Sequence, residues 1–353
     1  MKKLLLWLVT LMLVVSVVAT FSLVGCKAAP VVAEAEKPVE ETAPAEEAEK
    51  AEEVVVAKET TVKDEYRFVM IPILVQSWFD IVYQASVEAA DILGAAMGTK
   101  ITIDYQAPKE ADVIVQNQLL EAAIATRPDG IAIDPNDVEA SLSILKEAEK
   151  QGIPLVVYVA KVPELGTAIP YIGTHLYEDA MIIGTALLEK IDYKGKVAII
   201  QGVPTNTAHS ERYRAYKDLF AQHPEIEIVA EAFDYDDIEN AQEEAAKIIS
   251  ANPDLDAFAI CDAAGPVGVG LAIQEANKVG EIVYIGIDTL PQLQKLMRDG
   301  VLDISFYSSA KVFGQWCTIS LMMQNLGMTV PDWYDVGMAE MTPDVVKDGD
   351  VDL

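Results

Sequence analysis

Asp234, Tyr235, Asp236 and Asp237 fall in one four-residue run. Paired carboxylates at short spacing are the equipment of glycosidic acid/base chemistry. This run precedes a helix expected near 239–250, where acids stabilise the N-terminus, and that is the role the sequence predicts for it rather than hydrolysis. A second candidate, Gly265-Pro266-Val267-Gly268-Val269-Gly270, follows a strand and opens a helix. Its glycines are ordered G-x-x-G-x-G rather than G-x-G-x-x-G, and Pro266 lacks the N–H that would face a phosphate. Close packing of a helix on a sheet is the expected cause.

The three histidines, His175, His209 and His223, show no His-x-x-x-His spacing. His223 sits in a His-Pro loop. His209 lies at the head of a helix, where a ligand contact and a plain polar rim are both open. Cys261 and Cys317 have no metal-ligand spacing, and two buried thiols are expected rather than a disulfide. No G-x-S-x-G elbow occurs. Asp348-Gly349-Asp350-Val351-Asp352 resembles half a calcium loop, but the terminal Glu is missing, and a frayed acidic tail is expected there. These residues assemble no catalytic set, no metal site and no cofactor site. The chain reads as a binding protein, not an enzyme.

The elements that must position a binding site are regular. From Tyr66 on, apolar runs alternate with amphipathic stretches: strands at 67–75, 100–105, 130–134 and 154–159, with helices at 79–97, 111–126 and 137–151 between them. A second set of strands is expected at 196–201, 226–233, 257–261, 283–287 and 302–307. Strands that are apolar throughout are buried on both faces. Strand–helix alternation of this kind gives parallel sheets covered by helices. The fold class is therefore α/β, with two doubly wound, Rossmann-like lobes of roughly 100–150 residues each. In open α/β sheets ligands sit beyond the carboxyl ends of the strands, so two lobes facing each other at those ends enclose a cleft.

The formal charge is −30. Nucleic acid and anionic lipid surfaces both need basic protein surface, so neither is expected as a ligand.

Lys2 and Lys3 precede an apolar run over 4–18, the pattern of a secretory signal. Leu23-Val24-Gly25-Cys26 resembles the bacterial lipobox, which implies cleavage after residue 25 and lipidation of Cys26. The competing reading is a retained membrane helix over 4–24. Two acyl chains on Cys26 suffice for stable anchoring. Residues 26–64 are almost wholly Ala, Glu, Pro, Val and Lys, interrupted by Pro30, Pro38 and Pro44. Such a segment cannot bury enough apolar surface to offset its ordering entropy, and a disordered tether is expected.

Six segments, in order, resemble the sugar-type periplasmic binding proteins of ABC importers, the ribose- and galactose-binding family. They are Gln76-Ser77-Trp78-Phe79, Arg127-Pro128-Asp129-Gly130-Ile131-Ala132-Ile133-Asp134-Pro135, Gly152-Ile153-Pro154-Leu155-Val156, Tyr171-Ile172-Gly173-Thr174, Gly195-Lys196-Val197-Ala198-Ile199-Ile200-Gln201-Gly202 and Tyr284-Ile285-Gly286-Ile287-Asp288. The likeness covers nearly all of 66–345. It implies a periplasmic binding protein fold of type I with a three-crossover hinge. Lobe one would take 66–174 plus 309–337, and lobe two 175–308 plus 338–353. It also implies a monomer outside the cytoplasmic membrane that captures a small polar ligand, a sugar or derivative, and delivers it to an ABC permease and ATPase complex. A ligand-presenting receptor for a membrane sensor kinase or chemoreceptor is the alternative.

The resemblance places Trp78 and Phe79 at the aromatic pair that sandwiches the sugar ring, and Asp134 and Asp288 at acceptors for its hydroxyls. For Asp288 an N-cap of a helix starting near Pro291 is the other role expected. Gln76, Thr174, Ser210, Tyr235, Cys261 and Ser308 complete the expected contacts. The chain departs from the family at Val159-Ala160, where Asp-Arg is usual, at Ser210 for Arg, at Cys261 for Asn, and at Ser308 or Tyr307 for Gln. These changes imply a roomier or more apolar pocket, with Tyr235 and Tyr307 as added walls, and a solute other than plain ribose, glucose or galactose.

Overall fold

The computed structural model describes residues 62–166 and 169–351. The expectations for the signal segment, for Cys26 and for most of the tether lie outside the described residues. Packing is already present at Lys63 and Asp64: Lys63 Nζ pairs with Asp129 at 2.5 Å, and Lys100 N donates to Asp64 O at 3.0 Å.

The chain first lays down β1 (Glu65–Ile71), α1 (Ser77–Met97), β2 (Lys100–Tyr105), α2 (Val113–Ala125), β3 (Gly130–Ile133), α3 (Val138–Lys150), β4 (Leu155–Tyr158) and β5 (Tyr171–Gly173). It continues through α4 (Leu176–Lys190), β6 (Gly195–Gln201), α5 (Thr207–Phe220), β7 (Ile226–Phe233), α6 (Ile238–Ala251), β8 (Ala257–Ile260) and α7 (Gly265–Glu275). Then come β9 (Val283–Tyr284), β10 (Gly286–Ile287), α8 (Pro291–Arg298) and β11 (Ser305–Tyr307). It closes with α9 (Ala310–Asn325), β12 (Trp333–Asp335), β13 (Ala339–Met341) and α10 (Pro343–Val346).

Strand β1 stops at Ile71, short of the expected residue 75. Pro72 has no N–H to give a neighbouring strand, and Val75 N turns away to Pro108 O at 2.9 Å. The expected strand at 283–287 is broken at Ile285 into β9 and β10.

Six strands form one parallel sheet in the order β12-β5-β4-β3-β1-β2. Alternate side chains leave its two faces. Val69, Ile71, Ile131, Ile133, Leu155 and Val157 pack on Leu120, Ala123, Leu145 and Ala148 of α2 and α3. Phe68, Met70, Ala132, Val156 and Tyr158 face Val82 of α1 and Phe313, Cys317 and Leu321 of α9. Helices α1 and α9 approach closely because Gly314 has no side chain: a Cβ there would come within 2.0 Å of Val82 O.

The second body has a parallel sheet, β7-β6-β8-β9, and a three-stranded sheet, β10-β11-β13, in which β13 runs antiparallel. Ile285, Ile287 and Phe306 share one core with Val197, Ile199, Ala257 and Ala259, so both sheets belong to the same lobe. The chain passes between lobes three times: from β5 into α4, from β11 into α9, and from β12 into β13. The architecture is two doubly wound α/β lobes joined by three crossovers, as the resemblance implies.

The glycine run in α7 serves packing. A Cβ on Gly268 would lie 2.5 Å from Ala241 Cβ and 2.6 Å from backbone atoms of α6. Cys261 and Cys317 are buried free thiols on different lobes. The C-terminal tail, expected to fray, is instead tied to α8: Gln294 exchanges hydrogen bonds with Val351 N and O at 2.7 and 2.9 Å, and Arg298 pairs with Asp350 at 2.7 Å.

Candidate functional site

The carboxyl ends of both sheets face a cavity with about 770 Å³ of unfilled space, its open mouth included. That is within the size range of small-molecule sites. From the first lobe, the β1–α1 junction supplies Ile73, Gln76, Trp78 and Phe79, the end of β3 Asp134, the end of β4 Val159, and the end of β5 Thr174. From the second lobe, the β6–α5 junction supplies Asn206, His209 and Arg212, the end of β7 Asp236, and the end of β10 Asp288. Asp179 of α4 and Tyr307 and Ser308 after β11 complete the polar rim.

Gln76 caps α1, its Oε1 accepting from Trp78 N at 2.8 Å, while its Nε2 donates across the cleft to Asp236 Oδ1 at 3.2 Å. The Trp78 ring meets Phe79 edge-on at 5.1 Å and Phe313 at 5.3 Å, which locks its orientation. Its indole stands near Asp288 and helps to hold that carboxyl down. Asp134 accepts from Ala160 N at 3.3 Å through Oδ1, and its Oδ2 has no partner. Asn206 caps α5 through Oδ1, accepting from Ala208 N at 2.9 Å and His209 N at 3.2 Å. Its Nδ2 also has no partner.

Electrostatics set the protonation states. Burial pushes the Asp134 carboxyl well up, against the Ala160 N–H and the Arg212 charge. Burial and the neighbouring Asp262 charge do the same to Asp236. Burial pushes Asp288 up to about 6, opposed by Arg212 and the Trp78 indole. His209 is pushed down to about 3 by burial and by Arg212, so it is neutral. Its Nδ1 accepts from Val203 N at 2.8 Å, which leaves the proton on Nε2. Behind this wall Asp234 and Asp262 are fully buried against each other, and burial raises both. Gly265 permits the pair, since a Cβ there would stand 3.0 Å from Asp234 and 3.1 Å from Asp262.

Backbone strain gathers at the same wall. Val159 is β-branched and held at φ 59°, and Asp288 lies at φ 69°. Such conformations cost on the order of 1–3 kcal/mol each and cluster at binding sites. Asp288 does not cap α8, whose N-cap is Leu290 with no side-chain bond.

Of the expected contact residues, Gln76, Trp78, Phe79, Asp134, Thr174, Asp288 and Ser308 line the cavity. Three others lie elsewhere. Ser210 turns back on its own helix, its hydroxyl donating to Thr207 O at 3.1 Å. Tyr235 is exposed, because Tyr235 and Asp236 are both left-handed, at φ 59° and 60°. This turn leaves the phenol in solvent and Asp236 buried. The Cys261 thiol is buried in the core, and only its carbonyl reaches toward the site, accepting from Arg212 Nη1 at 2.9 Å. Of the acidic run, Asp237 alone caps α6, accepting from Asn240 N at 2.9 Å.

Arg212, Asn206, Asp179 and Asp236 were not among the expected ligand contacts. Arg212 lies two residues beyond the position where the family pattern puts its arginine, and it restores a cation to the cavity. The capping signal of Asn206 before α5 was the one trace of its place.

A cleft between two α/β lobes, lined by aromatic rings and hydrogen-bonding side chains from the strand ends of both, defines a solute-binding protein rather than an enzyme. The periplasmic binding protein domain matches residues 68–326, and the chain belongs to that family. Among curated relatives, the D-ribose/D-allose-binding protein of Pseudomonas aeruginosa is 25% identical over 253 residues, 69% of this chain and 73% of the relative. The D-allose-binding periplasmic protein of Escherichia coli is 26% identical over 244 residues, 67% of this chain and 76% of the relative. An ABC transporter solute-binding protein from Burkholderia graminis, solved in complex with D-arabinose, superposes with a TM-score of 0.74 at 23% identity, covering 80% of this chain and 98% of that one. At that identity it speaks for the fold alone.

Proposed function

We propose that the chain is an extracytoplasmic solute-binding lipoprotein that captures a sugar or sugar-like small molecule and delivers it to the permease and ATPase of an ABC importer. One observation carries this reading. Asp134 and Asn206 line the interlobe cavity from opposite lobes, and Asp134 Oδ2 and Asn206 Nδ2 are buried with no hydrogen-bond partner. A buried polar atom without a partner costs about 1–3 kcal/mol, and a hydroxylated solute bridging the lobes satisfies both. Trp78 and Phe79 offer the aromatic surface on which the C–H face of a sugar ring stacks. Gln76, Thr174, Asp288 and Ser308, with Arg212, supply the remaining polar contacts.

In this reading Cys26, following a signal at 1–25, holds the chain on the membrane, and the segment from there to about residue 62 is the tether, since Lys63 and Asp64 already pack on the folded part. The lobes, 66–174 plus 309–337 and 175–308 plus 338–353, close as rigid bodies about the three crossovers. Among the described residues no helix is long and apolar enough to cross a membrane. The relatives named for ribose and allose support a monosaccharide-sized solute.

Thermal denaturation in a panel of pentoses, hexoses, deoxy sugars, amino sugars and polyols tests the proposal. At least one compound at 1 mM is expected to raise Tm by several degrees, since a ligand at about 100 times Kd adds about 2.7 kcal/mol. No shift with any of them would count against it.

A further inference from the structure

Carboxyl groups outnumber basic groups in the cavity lining. Asp134, Asp179, Asp236 and Asp288 reach it, and Asp234 and Asp262 stand directly behind it. Arg212 is the one lysine or arginine among the residues that line it, and His209 is neutral. Arg212 is also committed: its Nη1 donates to Cys261 O, and it is the cation opposing the rise of Asp134, Asp236, Asp262 and Asp288 together. Where the sugar-binding pattern carries Asp-Arg, arginine, asparagine and glutamine this chain holds Val159-Ala160, Ser210, Cys261 and Ser308, so four donors and one acid have gone and Arg212 alone restores a cation, while Asp134 and Asp288 stay. A neutral sugar would leave Asp236 and Asp288 on one cavity wall with no added cation, and the Asp288 charge makes Asp236 harder to ionise.

We infer that the solute carries a protonated amine as well as hydroxyls, an amino sugar or amino polyol, with its ammonium between Asp236 and Asp288 and a hydroxyl on Asn206 Nδ2. The inference rests on the proposed solute-binding role. An ammonium has three donors and no acceptor, which suits a wall made of carboxylates. The orphan amide of Asn206 is a donor, so the same solute must also bring an oxygen. Burial raises both carboxyls, Asp288 to about 6, so at pH 6 an incoming ammonium expels a proton and restores the carboxylate.

Titration calorimetry on matched trios separates the possibilities: D-glucosamine, D-glucose and N-acetyl-D-glucosamine, the corresponding galactose trio, and an aminocyclitol beside its parent inositol. The amine of at least one set should bind tenfold or more tighter than its hydroxyl and N-acetyl counterparts. Its binding at pH 6 should release protons, read from the dependence of the heat on buffer ionisation enthalpy. Asp236→Asn and, independently, Asp288→Asn should erase the preference in a protein that still unfolds cooperatively. If a neutral sugar binds as tightly as its amine, the inference falls and the sugar-binding role stands. If neither amine nor neutral compound binds, both are contradicted.

Discussion

Gln76 Nε2 and Asp236 Oδ1 meet at 3.2 Å across the cleft, joining the head of α1 on one lobe to the turn after β7 on the other. The same glutamine caps α1 through its Oε1. Gln76→Glu therefore keeps the cap and replaces the amide donor with a carboxylate, which repels Asp236 at a pH high enough to ionise both. The lobes should then rest further apart. Small-angle scattering of the ligand-free variant should give a larger radius of gyration, and solute affinity should fall about tenfold, or ~1.4 kcal/mol. An unchanged radius and affinity would show that the contact does not hold the lobes together.

Asp288 sets a pH dependence. Its carboxyl moves from 3.8 to about 6 on folding, so between those values the native state binds more protons than the unfolded chain. Stability is then highest below pH 4 and is lost as pH rises through 6. Asp134 and Asp236 act in the same direction. Asp288→Asn should flatten the loss between pH 4 and 7 by up to about 3 kcal/mol, measured by urea unfolding of the ligand-free chain. A variant with the wild-type pH profile would mean that Asp288 ionises freely.

Gly268 faces α6 with no room for a side chain. Gly268→Val should cost about 1–3 kcal/mol by overpacking and lower Tm, while any solute that still binds keeps its rank order. A variant as stable as wild type would place the α6–α7 contact elsewhere.

Much of this arrangement was legible in the sequence because strand ends announce themselves. Gln76, Asp134, Thr174 and Asp288 each follow an apolar run directly, and the fold carries such residues into the cleft. Helical residues were harder, since reach depends on phase: Ser210 and Arg212 are two positions apart, and only Arg212 reaches the cavity. The turn after β7 was illegible for another reason. Consecutive left-handed residues are rare outside glycine, so nothing in Asp234-Tyr235-Asp236-Asp237 announced that Asp236 would face inward and Tyr235 outward. The tie between Gln294 and Val351 has no local signal, because its partners are 57 residues apart.

The proposed anchoring rests on Cys26. Cys26→Ala should move the protein from the membrane fraction to the soluble fraction, and globomycin should make the precursor accumulate. A membrane-bound Cys26→Ala protein would mean that residues 4–24 remain as a helix in the bilayer.

The central claim is that the cavity between the lobes binds the solute. The direct test is titration calorimetry of wild type, Trp78→Ala and Asp134→Ala with the compound that gives the largest thermal shift, each protein first shown to unfold cooperatively. Wild type should bind one molecule per chain, and each variant should bind about 10–100-fold more weakly, the equivalent of ~1–3 kcal/mol of lost contact. If both variants bind like wild type, the solute sits elsewhere and the cavity is not its site.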